Sequence, residues 1–213
     1  MSIRSIVLLP FSFLVHSVLA QVSEAPERVI SSGKDEVTAI AVSPRGDRLL
    51  VGTEDGAVLL DPESGRKVHA FPFSEDGGTA VYHVAFNENG EFVVLIGHTG
   101  KRAVWNVSSG KQDKVLSGQR WIPDPRQVKA MGFDMANSTF DRFYQQTEVG
   151  VGDMTLRSAA DGAVEFVDSE GKVQRTLTFP ENKDQHHRAP LLLWGKYLLV
   201  GADDGKVHFY GVL

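Results

Sequence analysis

The chain contains no cysteine among its 213 residues. This absence excludes disulfide bonds, and it excludes attachment to a membrane through a lipid-modified N-terminal cysteine. A chain of this length buries roughly 70% of the surface that its unfolded form exposes. The core can therefore be large enough to hold the fold without covalent cross-links.

Long hydrophobic runs are also scarce, because the only pronounced one extends from Ile6 to Val15. It is shorter than the roughly 20 residues that a membrane-spanning helix requires. Arg4 precedes it, and residues 18–20 fit the small-residue rule for cleavage of a secretory signal. We therefore predict a signal peptide over residues 1–20 and an exported mature protein, periplasmic or secreted, over residues 21–213 with no transmembrane segment.

Basic residues are fewer than acidic ones, and the formal net charge is -5. Proteins that bind nucleic acid usually concentrate positive charge on one face, so nucleic acid is not an expected partner. The composition, 42% hydrophobic and 23% charged, is typical of one globular domain.

What the sequence does contain is a repeated pattern of short strands and tight turns, first seen from Val37 to Gly65. Ser43-Pro44-Arg45-Gly46 has the chemistry of a turn, since proline presets φ and glycine tolerates positive φ. Glu54-Asp55-Gly56 then separates two apolar runs, which is typical of a hairpin. With a further strand from Lys67 to Phe71, the pattern predicts a four-stranded meander.

A second copy of the pattern runs from Val81 to Gly110, and its fourth strand is predicted over residues 114–118. The distances from Gly46 to Gly90 and from Gly56 to Gly100 are both 44 residues. Four strands in about 40 to 45 residues is the period of a propeller blade.

The order of strands and turns in these two copies resembles the WD-repeat family. Val104-Trp105-Asn106 stands where that family has its Trp-Asp pair, whereas Asp61-Pro62 stands there in the first copy. The Gly-His signature that precedes the first strand in the family is absent from every copy. The resemblance implies a β-propeller that binds a protein or peptide partner, with no cofactor.

Two further copies complete the predicted fold. In the third copy we predict the first strand over residues 128–133, an insertion over residues 135–152, and the next two strands over residues 153–168. The fourth copy ends after its third strand, and Arg28 to Ser31 can supply the missing one.

The predicted fold class is therefore all-β, a small β-propeller of about four four-stranded antiparallel blades whose last blade is completed by the N-terminal strand. The predicted blades are residues 37–71, 81–116, 128–179, and 190–213 with 28–31. Two alternatives stay open: a second chain could complete the ring in a dimer rather than a monomer, or the chain could be a remnant of a longer propeller.

The candidate binding residues lie in the second-to-third-strand turns and in the connections between blades, which share one rim of a propeller. Loops on a rigid scaffold commonly carry binding functions, and an exposed Trp beside Arg has the composition of an interface hot spot. The candidates are Asp55, Asp161 and Asp204 in the turns, with Arg120, Trp121, His186, His187 and Arg188 in the connections.

No nucleophile, carboxylate pair, phosphate loop or metal triad occurs in which residue type and spacing agree. The predicted function is therefore an exported, non-catalytic module that binds a protein or peptide, with no catalytic residue, metal or cofactor. The alternative is a small propeller enzyme or metal-dependent sensor that uses the rim carboxylates and histidines.

Overall fold

The computed structural model describes residues 22–98, 100–118, 146–179, 184 and 186–213. The predicted signal peptide, the strand predicted over residues 128–133, Arg120 and Trp121 lie outside these ranges. Within them the regular structure is almost entirely β, with a short helix and short 3-10 turns, and no helix there is long and apolar enough to cross a membrane. The strands are β1 (Arg28–Ser31), β2 (Val37–Val42), β3 (Leu49–Thr53), β4 (Gly56–Leu60), β5 (Lys67–Phe71), β6 (His83–Phe86), β7 (Phe92–Ile96), β8 (Arg102–Asn106), β9 (Gln112–Asp113), β10 (Glu148–Val151), β11 (Met154–Ser158), β12 (Val164–Val167), β13 (Val173–Leu177), β14 (Leu191–Trp194), β15 (Tyr197–Gly201) and β16 (Lys206–Gly211); the helix is α1 (Lys114–Ser117) and the 3-10 turn is Ala160–Gly162.

These strands form four antiparallel sheets of four strands each, which we call blades 1 to 4. Blades 1, 2 and 3 are the meanders β2 to β5, β6 to β9 and β10 to β13, whereas blade 4 has the order β1-β16-β15-β14. The prediction of a small four-bladed propeller is confirmed.

The turn chemistry explains the hairpins. In blade 1, Thr53 pairs directly with Gly56, so Glu54 and Asp55 alone form the loop between β3 and β4. Gly56 has a φ of 78°, a backbone conformation that glycine adopts without the steric cost of a side chain. The Asp-Gly pair is thus required by the backbone of this turn.

The N-terminal strand closes blade 4, as predicted. β1 pairs antiparallel with β16, and Ile30 lies opposite Val207. Ile30 is buried, whereas Val29 is 44% exposed on the other face of the same strand. The hydrogen bond from Ser32 N–H to the Gly205 carbonyl, 2.8 Å long, extends the pairing into the loop that follows β1.

Blade 2 differs from the prediction at its fourth strand, because residues 114–117 form α1 and β9 has only two residues. The Asp113 carboxylate accepts hydrogen bonds from the N–H groups of Val115 and Leu116, the usual cap of a helix start. The Ser117 hydroxyl then contacts both the N–H and the carbonyl of Val104 in β8. In blade 2 the Ser117 side chain therefore makes hydrogen bonds to the edge of the third strand, where the other blades use the backbone of a fourth strand.

Blade 3 corrects the predicted insertion. Its first strand is β10, Glu148–Val151, which falls inside residues 135–152. Val151 pairs directly with Met154, so Gly152 and Asp153 form a tight hairpin into β11. The assignment of residues 148–151 to an insertion is wrong, because a two-residue turn places this short strand immediately before β11.

The core lies mainly between the blades. One buried cluster joins blades 1 and 2 around Leu59 and Phe71, and a second joins blades 3 and 4 around Leu156 and Leu198. A third cluster joins blades 4 and 1, with Ile30 and Phe209 among its members. The closing strand β1 thus contributes to the contact between the last blade and the first.

A glutamine side chain satisfies the free inner edge of β2. Gln146, which leads into blade 3, receives a 2.9 Å hydrogen bond from the Ile40 N–H at its Oε1 atom and donates from Nε2 to the Ile40 carbonyl. The amide therefore bonds to β2 as the backbone of a neighbouring strand would.

We expect Gln146→Leu to lower the free energy of unfolding by about 2 kcal/mol, because the Ile40 N–H and carbonyl both lose their partner. Gln112→Leu, at an exposed position of β9, is the control and should change stability by less than about 0.5 kcal/mol. Denaturant unfolding of the two variants measures the difference. Equal stabilities would contradict a structural role for the Gln146 amide.

Candidate functional site

A cluster of charged residues surrounds a cavity on the rim, at the seam between blades 4 and 1. The cavity has a volume of about 460 Å³. We call it the rim cavity, and it is lined by the connection before β2, the β3–β4 turn, the connection before β14 and the β15–β16 turn. The lining residues are Lys34, Asp35, Glu36, Glu54, Asp184, Asp203 and Asp204.

Six of these seven residues carry carboxylates and one carries an ammonium group, so the cavity has a strong excess of negative charge. Asp204 is paired with Lys206, which lies beside it. Desolvation raises the pKa of Glu54, and repulsion from Glu36, Asp184 and Asp35 raises it further, while His187 lowers it. Burial and the neighbouring carboxylates thus act on Glu54 in the same direction.

Backbone hydrogen bonds hold the walls of the rim cavity. The Asp184 N–H donates to the Asp203 carboxylate at 2.9 Å, which ties the connection before β14 to the β15–β16 turn. The Glu54 N–H donates to the Glu36 carbonyl at 3.3 Å and ties the β3–β4 turn to the connection before β2. The carboxylates are therefore carried by segments that are fixed to one another.

His187 lies beneath the rim cavity and is 1% exposed. Its Nδ1 atom is 2.5 Å from Oε1 of Glu36, and its Nε2 atom is 3.1 Å from the Gly201 carbonyl oxygen. Burial alone would lower the pKa of His187, but the hydrogen bonds to Glu36 and Gly201 and the charges of Glu36 and Asp203 together raise it. The ring links blade 4 to the connection that leads into blade 1.

The structure brings only part of the predicted site together. Asp204 lines the rim cavity, whereas Asp55 and Asp161 are exposed in turns outside its lining. His186 and Arg188 are exposed in the connection before β14. His187 is not an exposed rim residue, contrary to the prediction, because its ring turns inward to Glu36 and Gly201.

Sequence reasoning missed most of the acidic residues of the cavity: Asp35, Glu36, Glu54, Asp184 and Asp203. A signal for them was present, because both Asp-Gly turns at this seam have a further acidic residue directly before the Asp-Gly pair. The Lys-Asp-Glu sequence before β2 lies in a connection of the kind predicted to form the rim.

A second cavity, of about 420 Å³, lies between blades 1 and 2 on the edge opposite the rim. Arg45 and Arg48 contribute positive charge there, and Asp47 and Glu91 contribute an equal number of negative charges. The Asp47 carboxylate already accepts a 2.8 Å hydrogen bond from the Ser43 hydroxyl. The balanced charge gives this cavity no clear preference for a ligand of one sign.

Metal binding has no support in the ranges that the structure describes, since no group of three or more His, Asp or Glu residues there could hold an ion. The cavity carboxylates therefore do not converge on a common centre: Asp204 pairs with Lys206, Glu36 contacts His187, and Asp184 and Asp203 accept hydrogen bonds from backbone N–H groups. Their arrangement suits a ligand that presents positive charge along a length of chain.

Comparison with known proteins gives one family match. The model of the family described as WD domain, G-beta repeat matches residues 25–60. This range contains β1 and most of blade 1, so it includes the closing strand and the connection that lines the rim cavity.

The chain is also similar to the COMPASS component SWD2 of Saccharomyces cerevisiae, with 32% identity over 117 residues that cover 49% of this chain and 34% of that protein. The chain thus spans about a third of the length of the curated relative it matches. SWD2 is a nuclear protein, and this finding contradicts the predicted export to the periplasm or outside the cell.

Among solved structures, the RRP9 WD40 repeats match with 14% identity and a TM-score of 0.39, over 84% of this chain and 53% of that one. U3-55K matches with 14% identity and a TM-score of 0.38, over 82% and 52%. The family match, the curated relative and the four blades confirm the resemblance to the WD-repeat family that the sequence shows.

Proposed function

We propose that this chain is a non-catalytic protein-interaction module that binds a positively charged segment of a partner protein at the rim cavity. The observation that carries the proposal is the cavity itself, in which six carboxylates face one ammonium group. The fold alone does not assign a function, so the argument depends on the charge and shape of this site.

Lysine and arginine side chains suit the cavity chemically. An ionised carboxylate is an acceptor only, and its hydrogen bonds to ammonium or guanidinium groups are stronger than those between neutral groups. Carboxylates that repel one another gain from a cation between them, and Glu36, Asp184 and Asp35 each repel Glu54. A basic segment would therefore bind through several charge-assisted hydrogen bonds at once.

The curated relative supports a role in protein binding, because SWD2 is named as a component of the COMPASS assembly. The other rim residues extend the proposed surface: Asp55, Asp161, His186 and Arg188 are exposed in turns and in the connection before β14. Arg120 and Trp121, outside the described residues, remain proposed contacts. Because β1 completes blade 4 within one chain, we propose that the module acts as a monomer.

The test is binding of a fluorescent, end-blocked peptide of alternating lysine and serine, measured by anisotropy at low salt. We expect the double variant Asp35→Asn, Glu54→Gln to bind about tenfold more weakly, since each lost charge removes up to about 1 kcal/mol. Both side chains line the cavity, and neither substitution changes side-chain volume much.

The matched control is Glu63→Gln, Glu170→Gln, which removes two exposed carboxylates from turns on the opposite edge. This control should keep the affinity of the unmodified protein within about twofold, because charges separated by more than about 10 Å are screened. A peptide in which glutamate replaces lysine should not bind. Equal loss of affinity in the two double variants would show that binding follows net charge and not the rim cavity.

A further inference from the structure

The contact between His187 and Glu36 can exist only with a proton between them. The Gly201 carbonyl only accepts hydrogen bonds, so Nε2 of His187 carries a hydrogen. Nδ1 lies 2.5 Å from the Glu36 carboxylate, and two lone pairs at this distance would repel each other. Whether this proton is on Nδ1 of His187 or on the Glu36 carboxyl group, the pair contains one proton more than a neutral imidazole beside a carboxylate.

The two members of this pair face different surroundings. The His187 side chain is fully buried, whereas the Glu36 side chain is 18% exposed and lines the rim cavity. When the shared proton is lost, the His187 ring keeps only its hydrogen bond to the Gly201 carbonyl. The Glu36 carboxylate then no longer receives a hydrogen bond from His187. The Glu36 carboxylate is then available to a cation in the cavity.

We propose that a basic segment in the rim cavity and the proton shared by His187 and Glu36 compete for the Glu36 carboxylate, so that binding of the segment releases this proton. This inference rests on the function proposed above and adds its regulation. Affinity for the segment then rises with pH, because fewer molecules hold the competing proton.

The charged groups around His187 agree with this direction. Negative charge favours the proton in the free protein, and a bound cation opposes it. Charged groups from four other segments face or flank the ring. Asp35 and Glu36 precede β2, Glu54 lies in the β3–β4 turn, and Asp203 and the Asp204–Lys206 pair lie in the β15–β16 turn. Asp161 is next to Gly162, whose N–H donates to the His187 carbonyl, and Asp184, His186 and Arg188 lie in the same connection as His187.

Calorimetric titration with the lysine–serine peptide between pH 5.5 and pH 8.5 tests the coupling, since the charge of lysine is constant over this range. We expect affinity to rise about fivefold across the range, the effect of one added charge near the ligand. Titrations near the midpoint of the rise, in two buffers of different ionisation enthalpy, should show proton release on binding.

Glu36→Gln is the decisive variant, because a glutamine amide can donate to neutral Nδ1 of His187 and keeps the contact without the extra proton. It should bind with an affinity that varies less than about twofold with pH and without proton release. His98→Gln removes an exposed histidine from the β7–β8 turn of blade 2, away from the rim cavity, and should retain the pH dependence of the unmodified protein.

The outcomes separate the two proposals. Absence of peptide binding at every pH would contradict both the proposed function and the coupling. If the peptide binds and Asp35→Asn, Glu54→Gln weakens that binding, the proposed function holds. The coupling alone would then be overturned if binding to the unmodified protein showed no pH dependence, or if Glu36→Gln showed the same pH dependence. The ¹⁵N signals of the His187 ring supply a direct readout, and on addition of peptide near neutral pH they should become those of a neutral Nε2–H ring whose Nδ1 atom no longer shares a proton with Glu36.

Discussion

Ile30→Asp is expected to lower the free energy of unfolding by about 4 kcal/mol, because it loses a buried apolar side chain and places a carboxylate in the core. Ile30 is 4% exposed and belongs to the cluster that joins blades 4 and 1. Its neighbours there include Val207, the residue opposite it in β16. The substitution therefore weakens both the closing strand and the seam on which the rim cavity depends.

Val29→Asp is the matched control, since Val29 is adjacent in the same strand, has its side chain on the other face and is 44% exposed. We expect it to cost less than about 1 kcal/mol. Denaturant unfolding with one optical probe compares the two variants with the unmodified chain. Similar losses for both would mean that β1 does not pack as the structure shows.

Gly205→Ala is expected to have the second-largest effect, about 3 kcal/mol, at the point where the β15–β16 turn meets the loop after β1. Gly205 has a φ of 80°, and a Cβ atom there would lie 2.7 Å from the Gly33 carbonyl oxygen and 3.0 Å from the Lys34 nitrogen. These are backbone atoms, so the new methyl group displaces the connection that carries the acidic lining of the cavity.

Gly171→Ala isolates the steric part of this effect. Gly171 has a φ of 82°, nearly the same as Gly205, but a Cβ atom at Gly171 meets nothing within 4 Å. Alanine there should cost only the backbone strain, about 1 kcal/mol. If thermal unfolding gave the same loss for both variants, the close approach of Gly205 to residues 33 and 34 would be contradicted.

Local pattern was sufficient to predict most of the fold. The four strands of blade 1 were predicted, and β5 has its predicted bounds, because alternating apolar residues and an Asp-Gly turn specify a hairpin without help from the rest of the chain. The pairing of β1 with β16 was also predictable, since the fourth copy of the pattern lacked one strand and the N-terminal segment resembled it.

The errors in the fold have local causes. The outer strand of blade 2 gives way to α1 because Asp113 can cap a helix, a competing use of the same residues that strand periodicity does not reveal. The first strand of blade 3 has only four residues, and one of them is glycine. Two valines that alternate with a glutamate and a glycine give too weak a pattern to be separated from a loop.

The rim cavity was harder to predict because its walls come from distant parts of the chain. Glu36 and Asp203 meet only after β1 has closed blade 4, so no sequence spacing connects them. The burial of His187 was equally hidden, since adjacent histidines in a connection give no indication of which ring turns inward. The excess of acidic residues in the turns was visible, but its location at one seam was not.

The closed seam gives this small propeller a site that its isolated blades would lack. Residues from blade 1, blade 4 and the two connections supply the carboxylates, and His187 lies beneath them with its proton. Affinity for a basic segment, its pH dependence and the stability of the seam should therefore be sensitive to the same closing strand.

A disulfide between Ser31→Cys and Lys206→Cys tests most directly whether the chain closes blade 4 with its own strand. Ser31 and Lys206 lie directly opposite each other in β1 and β16. Such pairs have Cα atoms about 4.5 to 5.5 Å apart, which is close enough for a disulfide bond. Because the natural chain has no cysteine, the two introduced thiols can pair only with each other or with another chain. A control that combines Ser31→Cys with Lys111→Cys, an exposed position before β9 of blade 2, should stay reduced. After mild oxidation, we expect a monomer with one internal disulfide by mass spectrometry and light scattering, whereas disulfide-linked dimers or free thiols would contradict closure within one chain.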